Sequence, residues 1–166
     1  MKKLTTLLLV LATSFTYAQT AFSGKGDKKI NIGANIQDGG SGIQGSADFG
    51  LGENFSFGFV ANYLLGADDY FGEKPDFGDR FDAKVRVNAN LSSVLNISDA
   101  FDLYPGLSLG LRNFGGHVGA RYFFTDGFGL FSEIGFPIAR YDNDPYGPKY
   151  LNNQFTFAVG ASFNLN

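Results

Sequence analysis

From Lys28 onward, large apolar residues alternate with small or polar ones along eight stretches of about nine to thirteen residues each. The sharpest is 81–91, where Phe81, Ala83, Val85, Val87, Ala89 and Leu91 interleave with Asp82, Lys84, Arg86, Asn88 and Asn90. A period of two sends successive side chains to opposite faces of a strand, so one face is apolar and the other charged or amide. The same reading predicts strands near 28–38, 43–51, 55–65, 101–111, 116–124, 128–138 and 154–166. Such lengths are what a tilted strand needs to cross a bilayer. Pro105 falls on the apolar face of the fifth strand, where its missing N–H predicts a bulge or an irregular start.

The connections differ in length. Residues 52–54 (Gly-Glu-Asn) and 125–127 (Thr-Asp-Gly) are tight turns of the kind that joins hairpins, and the links at 39–42 and 113–115 are also short. Residues 92–99 make a longer link, while 66–79 and 139–153 are long, polar and carry Pro75, Pro145 and Pro148. Eight strands return both termini to one side, which predicts termini and tight turns in the periplasm and long loops outside. Aromatics on the apolar faces form two groups, Phe55, Phe124, Phe128 and Phe163 at one end and Tyr63, Phe81 and Phe155 at the other. Two belts suit the two interfaces of a membrane. The pattern predicts an all-β fold: an eight-stranded antiparallel up-and-down transmembrane β-barrel. Glycines such as Gly58, Gly106 and Gly119 lie on the polar face, as a lumen just wide enough for side chains requires.

Residues 1–18 read as a signal peptide, with Lys2 and Lys3 before an apolar run and small residues at Thr16 and Ala18. The run is too short to span a membrane as a helix. Residues 19–166 then form the barrel domain, in which eleven Lys and Arg stand against sixteen Asp and Glu, a net charge of −5. That balance argues against nucleic acid as a partner. The chain contains no Cys and a single His, which leaves no disulfide framework, no lipid-attachment cysteine and no recognisable zinc site. No cofactor is expected.

With this alternation and the amphipathic last segment, Gln154 to Asn166, the chain resembles small eight-stranded outer-membrane barrels of the OmpA and OmpX type. It is similar above all to uncharacterised outer-membrane β-barrel proteins of Gram-negative bacteria. The last strand resembles the recognition signal of the outer-membrane assembly machinery, although the chain ends Phe163-Asn-Leu-Asn166, without the terminal aromatic of many relatives. The resemblance implies a monomer in the cell outer membrane with both termini periplasmic, in contact with membrane lipids and lipopolysaccharide.

Two groups of residues carry candidate chemistry. Asp48, Asp82, Lys84, Arg86, Arg112, Arg121 and Glu133 fall on the polar face and predict a lumen charge network. Charges of both signs in a narrow interior must pair, which favours a filled, salt-bridged lumen over a small porin-like ion path. In the long loops Asp68, Asp69, Tyr70, Phe71, Tyr141 and Tyr146 form a possible extracellular interaction surface for an unknown ligand. The acidic residues lack the spacing of a calcium loop. His117 has no Ser at close strand spacing, Ser108 and Ser132 being remote in sequence, so no catalytic residue is assigned and the chain is not read as an enzyme. A structural or cell-surface role follows. The alternatives are an ion-conducting pore and a soluble, lipocalin-like periplasmic barrel, whose apolar face would turn inward.

Overall fold

The computed structural model describes residues 20–69, 74–142 and 150–165. Eight strands close into one antiparallel barrel in sequence order: β1 (Lys28–Gln37), β2 (Gly40–Gly50), β3 (Phe55–Ala67), β4 (Phe81–Ala89), β5 (Phe101–Gly110), β6 (Asn113–Phe123), β7 (Phe128–Arg140) and β8 (Thr156–Asn164). β1 pairs with β8 from Lys29↔Asn164 to Gln37↔Thr156, which removes every free sheet edge. Two one-turn helices lie in the connections, α1 (Phe77–Arg80) before β4 and α2 (Ser92–Leu95) before β5. The chain enters β1 and leaves β8 at the same end of the barrel, hereafter the terminal end; the 66–80 and 139–153 connections lie at the opposite, loop end.

The faces fall as the alternation predicts. Asn31, Asn35, Gln44, Ser46, Asp48, Asn62, Asp82, Arg86, Asn88 and Arg121 are buried inside, while the apolar residues between them point out. Phe55, Leu65, Leu109, Ile32 and Ile138 are 55–63 % exposed. A soluble monomer rarely shows so continuous an apolar surface. A lipocalin-like barrel keeps its apolar face inside; this one has the reverse distribution, which corrects that alternative.

Several boundaries differ from the expectation. β2 begins three residues early because Gly39, at φ +67°, turns the chain in one tight step, and β6 begins at Asn113, so the predicted 113–115 link is strand. Pro105 sits in an unshifted pairing with Val118. The register shifts come instead at Ser41/Gly42 and Phe114/Gly115. What stops near Pro105 is the pairing to β4, which runs only over five residues, Lys84–Asn88 against Gly106–Gly110.

Candidate functional site

Inward-facing residues of neighbouring strands share one height in the barrel, and this brings four of the seven predicted charges, Asp48, Arg86, Arg121 and Glu133, together at mid-height. At mid-height Arg86 on β4 donates from Nε and Nη2 to both oxygens of Asp48 on β2, at 2.8 and 2.7 Å. Its Nη1 reaches Glu133 on β7 at 2.7 Å. Such a fork on two carboxylates uses the planar geometry that distinguishes Arg from Lys. Arg121 on β6 lies 3.2 Å from Asp48 and 3.4 Å from Asp102 on β5. Toward the loop end Lys84 pairs with Asp82 at 3.5 Å. Arg86–Asp48, Arg86–Glu133 and Arg121–Asp48 each join strands that do not neighbour one another, while Arg121–Asp102 joins the adjacent β5 and β6.

Amides and hydroxyls complete the network. Asn88 donates to Asp48 and Ser56, Ser56 donates to Asn90, and Asn90 donates to Asp102. On the other side Gln44 donates to Glu133 and Asn35 to Gln44. Buried polar groups of this kind are tolerated because they are bonded. Tyr104 is fully buried, with the Arg121 guanidinium 4.0 Å from its ring centre. Its ring covers Gly119, directly opposite on β6, where any side chain would overlap it. His117 covers Gly106 in the same way.

Both mouths are shut by irregular chain. At the terminal end, residues 20–27 cross the opening: Ala21 N–H donates to Asp99 O, just before β5, on the wall across from β1. Ala21 and Phe22 are buried there, and Asp27 forms an ion pair with Lys29. At the loop end, residues 150–154 turn inward rather than out. Leu151 is fully buried, Asn113 donates to Asn152 O and Asn153 Oδ1, and Asn152 donates to Gln37 Oε1 and Arg80 O. Between these plugs, beside Glu133 and His117, is a cavity of about 20 Å³. That is room for about one water.

Arg112 departs from its predicted place. It sits on the rim, where it contacts Gly78 O and lies 3.6 Å from Asp79. Asp68, Asp69 and Tyr141 are exposed at the loop end, whereas Tyr70, Phe71 and Tyr146 lie outside the described residues, as does the predicted signal peptide. The remoteness of Ser108 from His117 is also corrected. The two sit on adjacent strands and line the same small cavity. No hydrogen bond joins them; His117 Nε2 is bonded to Asn88 Oδ1 at 2.7 Å, and a cavity for one water admits no acyl substrate. Missed by the sequence reading were Asp102 and Tyr104, which the alternation did place on the polar face, and both plugs.

The chain belongs to DUF6646, a family of unknown function whose model matches residues 12–165. No curated protein matches it by sequence. Among solved structures it is similar to the N-terminal β-barrel domain of Pseudomonas aeruginosa OprF, at 9% identity and a TM-score of 0.56, over 86% of this chain and all (100%) of that one. A de novo designed transmembrane β-barrel matches at 13% identity and a TM-score of 0.49, over 86% of this chain and 98% of that one. Outer Membrane Protein G from Pseudomonas aeruginosa matches at 11% identity and a TM-score of 0.47, over 87% and 100%. The first of these likenesses is one of fold. An apolar exterior around a filled polar lumen makes the chain a membrane barrel.

Proposed function

We propose that this chain is a sealed barrel of the cell outer membrane, with both termini periplasmic and residues 1–18 removed as a signal peptide, whose role is structural or interactive at the cell surface. The observation that carries this reading is the closed lumen: charges paired at mid-height, plugs at both mouths and room for about one water between. A barrel that conducts nothing offers only its outside and its loops, 66–80 and 139–153, to the cell. The assembly machinery of the outer membrane would insert it, and lipids and lipopolysaccharide would surround it.

The absence of Cys makes the test direct. Asp142→Cys, at the loop end, should react with a membrane-impermeant maleimide on intact cells, and Asp126→Cys, in the tight turn at the terminal end, should react only after lysis. The reverse labelling would overturn the orientation, and recovery of the protein in the soluble fraction would overturn the membrane assignment. The pore reading is favoured by one feature, the polar column that runs the length of the lumen. Steady single-channel conductance of the wild type in a planar bilayer would establish it.

A further inference from the structure

The apolar exterior is not uniform. Gly45, Ala61 and Ala83 stand side by side in register on β2, β3 and β4. Small residues there depress the surface between Phe59, Val85, Leu109 and Leu111, leaving a groove of about 700 Å³ lined almost wholly by apolar atoms. That is a volume typical of small-molecule sites. Directly toward the loop end, Tyr63 on β3, Phe77 on α1 and Phe81 on β4 form a row of rings, with centres 5.3 and 5.7 Å apart.

Above the rings is a second hollow of about 310 Å³, lined by Leu65, Asp69, Lys74, Pro75 and Arg80. Arg80 Nε donates to Leu64 O at 2.7 Å and Nη2 to Leu65 O, while its guanidinium lies 5.2 Å from the Tyr63 ring centre. Among the described residues neither Arg80 nor Lys74 forms an ion pair. The nearby carboxylates are largely engaged: Asp76 accepts from Asp79 N–H, and Asp79 faces Arg112. Among the described residues, Asp69 is the carboxylate that lines the hollow against the two cations.

We propose that the outer face of β2–β4 and the adjoining rim form a binding site for one phosphate-bearing lipid, with an acyl chain in the Gly45–Ala61–Ala83 groove and the phosphate between Lys74 and Arg80. The order of the three zones matches an amphiphile. Leu65 is four residues beyond Ala61 on β3, so the cations stand about 13 Å above the groove at the usual rise per residue. Aromatic rings occupy the level between, as they do at membrane interfaces. A partner apolar throughout would leave Lys74 and Arg80 with a single carboxylate, Asp69, among the described residues of the hollow, and this favours a lipid over a second barrel on this face. The inference rests on the membrane reading above.

The test uses the full-length barrel, purified in neutral detergent, and native mass spectrometry after incubation with three probes. These are phosphatidylglycerol, diacylglycerol with the same chains, and glycerol phosphate without chains. The wild type should retain phosphatidylglycerol alone. Lys74→Gln and Arg80→Gln should each weaken retention about fivefold, and Ala83→Phe, which fills the groove on a lipid-facing surface, should abolish it. A gel-mobility change on boiling shows for each variant that the barrel is folded, so failure of the membrane reading is seen separately. Equal retention of diacylglycerol, retention of glycerol phosphate by itself, or indifference to Lys74→Gln and Ala83→Phe would each overturn the proposal.

Discussion

At mid-height the lumen is closed by charges that answer charges, Arg86 and Arg121 against Asp48, Glu133 and Asp102. The mouth at the loop end is closed by neutral groups, with Asn113, Asn152, Asn153 and Gln154 bonding one another and backbone carbonyls around Leu151. The contrast is one of cost. A buried ion pair contributes little net stability against an apolar filling, but removing one partner strands the other charge. An amide plug that loses one bond leaves a group that nearby water can reach when the mouth loosens. The centre is therefore the part of the barrel that tolerates least change, and the mouths are where it can yield.

The strongest way to break this comparison is Arg86→Leu, which leaves Asp48 with Arg121 and Asn88 and Glu133 with Gln44. It should lower stability by about 3–5 kcal/mol, measured as urea unfolding in vesicles by gel mobility. A variant as stable as the wild type would show the central charges to be solvated, and the lumen open. Leu151→Ala should come next, with a loss of about 2–3 kcal/mol in the same assay, because the mouth can collapse onto part of the vacated volume. If it cost more than Arg86→Leu, the plug and not the centre would hold the barrel shut.

Gly119→Val probes how tightly the middle is filled. The new side chain overlaps the Tyr104 ring and should cost about 1–3 kcal/mol, with altered near-ultraviolet circular dichroism from the displaced tyrosine. Asn152→Gly keeps the left-handed backbone, at φ +61°, and removes the side-chain bond to Arg80 O. It should cost about 1 kcal/mol, within the range for one hydrogen bond. Smallest of all should be the effect on conductance of deleting residues 20–24. The terminal mouth opens, yet a planar bilayer should show no channel, because Arg86 and its partners still close the centre. Conductance in that variant and not in the wild type would make the N-terminal strap the true plug.

Much of this was legible in the chain. The alternation at 81–91 sends Arg86 inward and Val85 outward without reference to any other strand, and the same holds for Asp48, Arg121 and Glu133. Arg112 shows where that logic ends. Two positions past the end of β5, it lies in the turn, where a period of two no longer decides the direction of a side chain. In the plug, residues 150–153 carry no periodic signal, and Gln154, read as the start of the last strand, precedes β8 and bonds to Asp38 O; Leu151 reads as an apolar residue in a polar loop, and only the mouth around it makes it a core residue. Ser108 and His117 were remote in sequence and became neighbours through the β5–β6 register.

The sequence by itself determined the strands, the two faces and the sign of each, because backbone pleating acts on every residue locally. It also determined that the lumen must be filled, since charges of both signs on one face of a narrow barrel have no water to solvate them. Which charge meets which was decided only by the closed barrel. Shear and register set the heights at which side chains from distant strands meet, so Arg86 faces Asp48 and Glu133, Tyr104 lies over Gly119, and the two irregular segments fold into the mouths. The small residues that shape the outer groove are likewise scattered along three strands and adjoin only once those strands are paired.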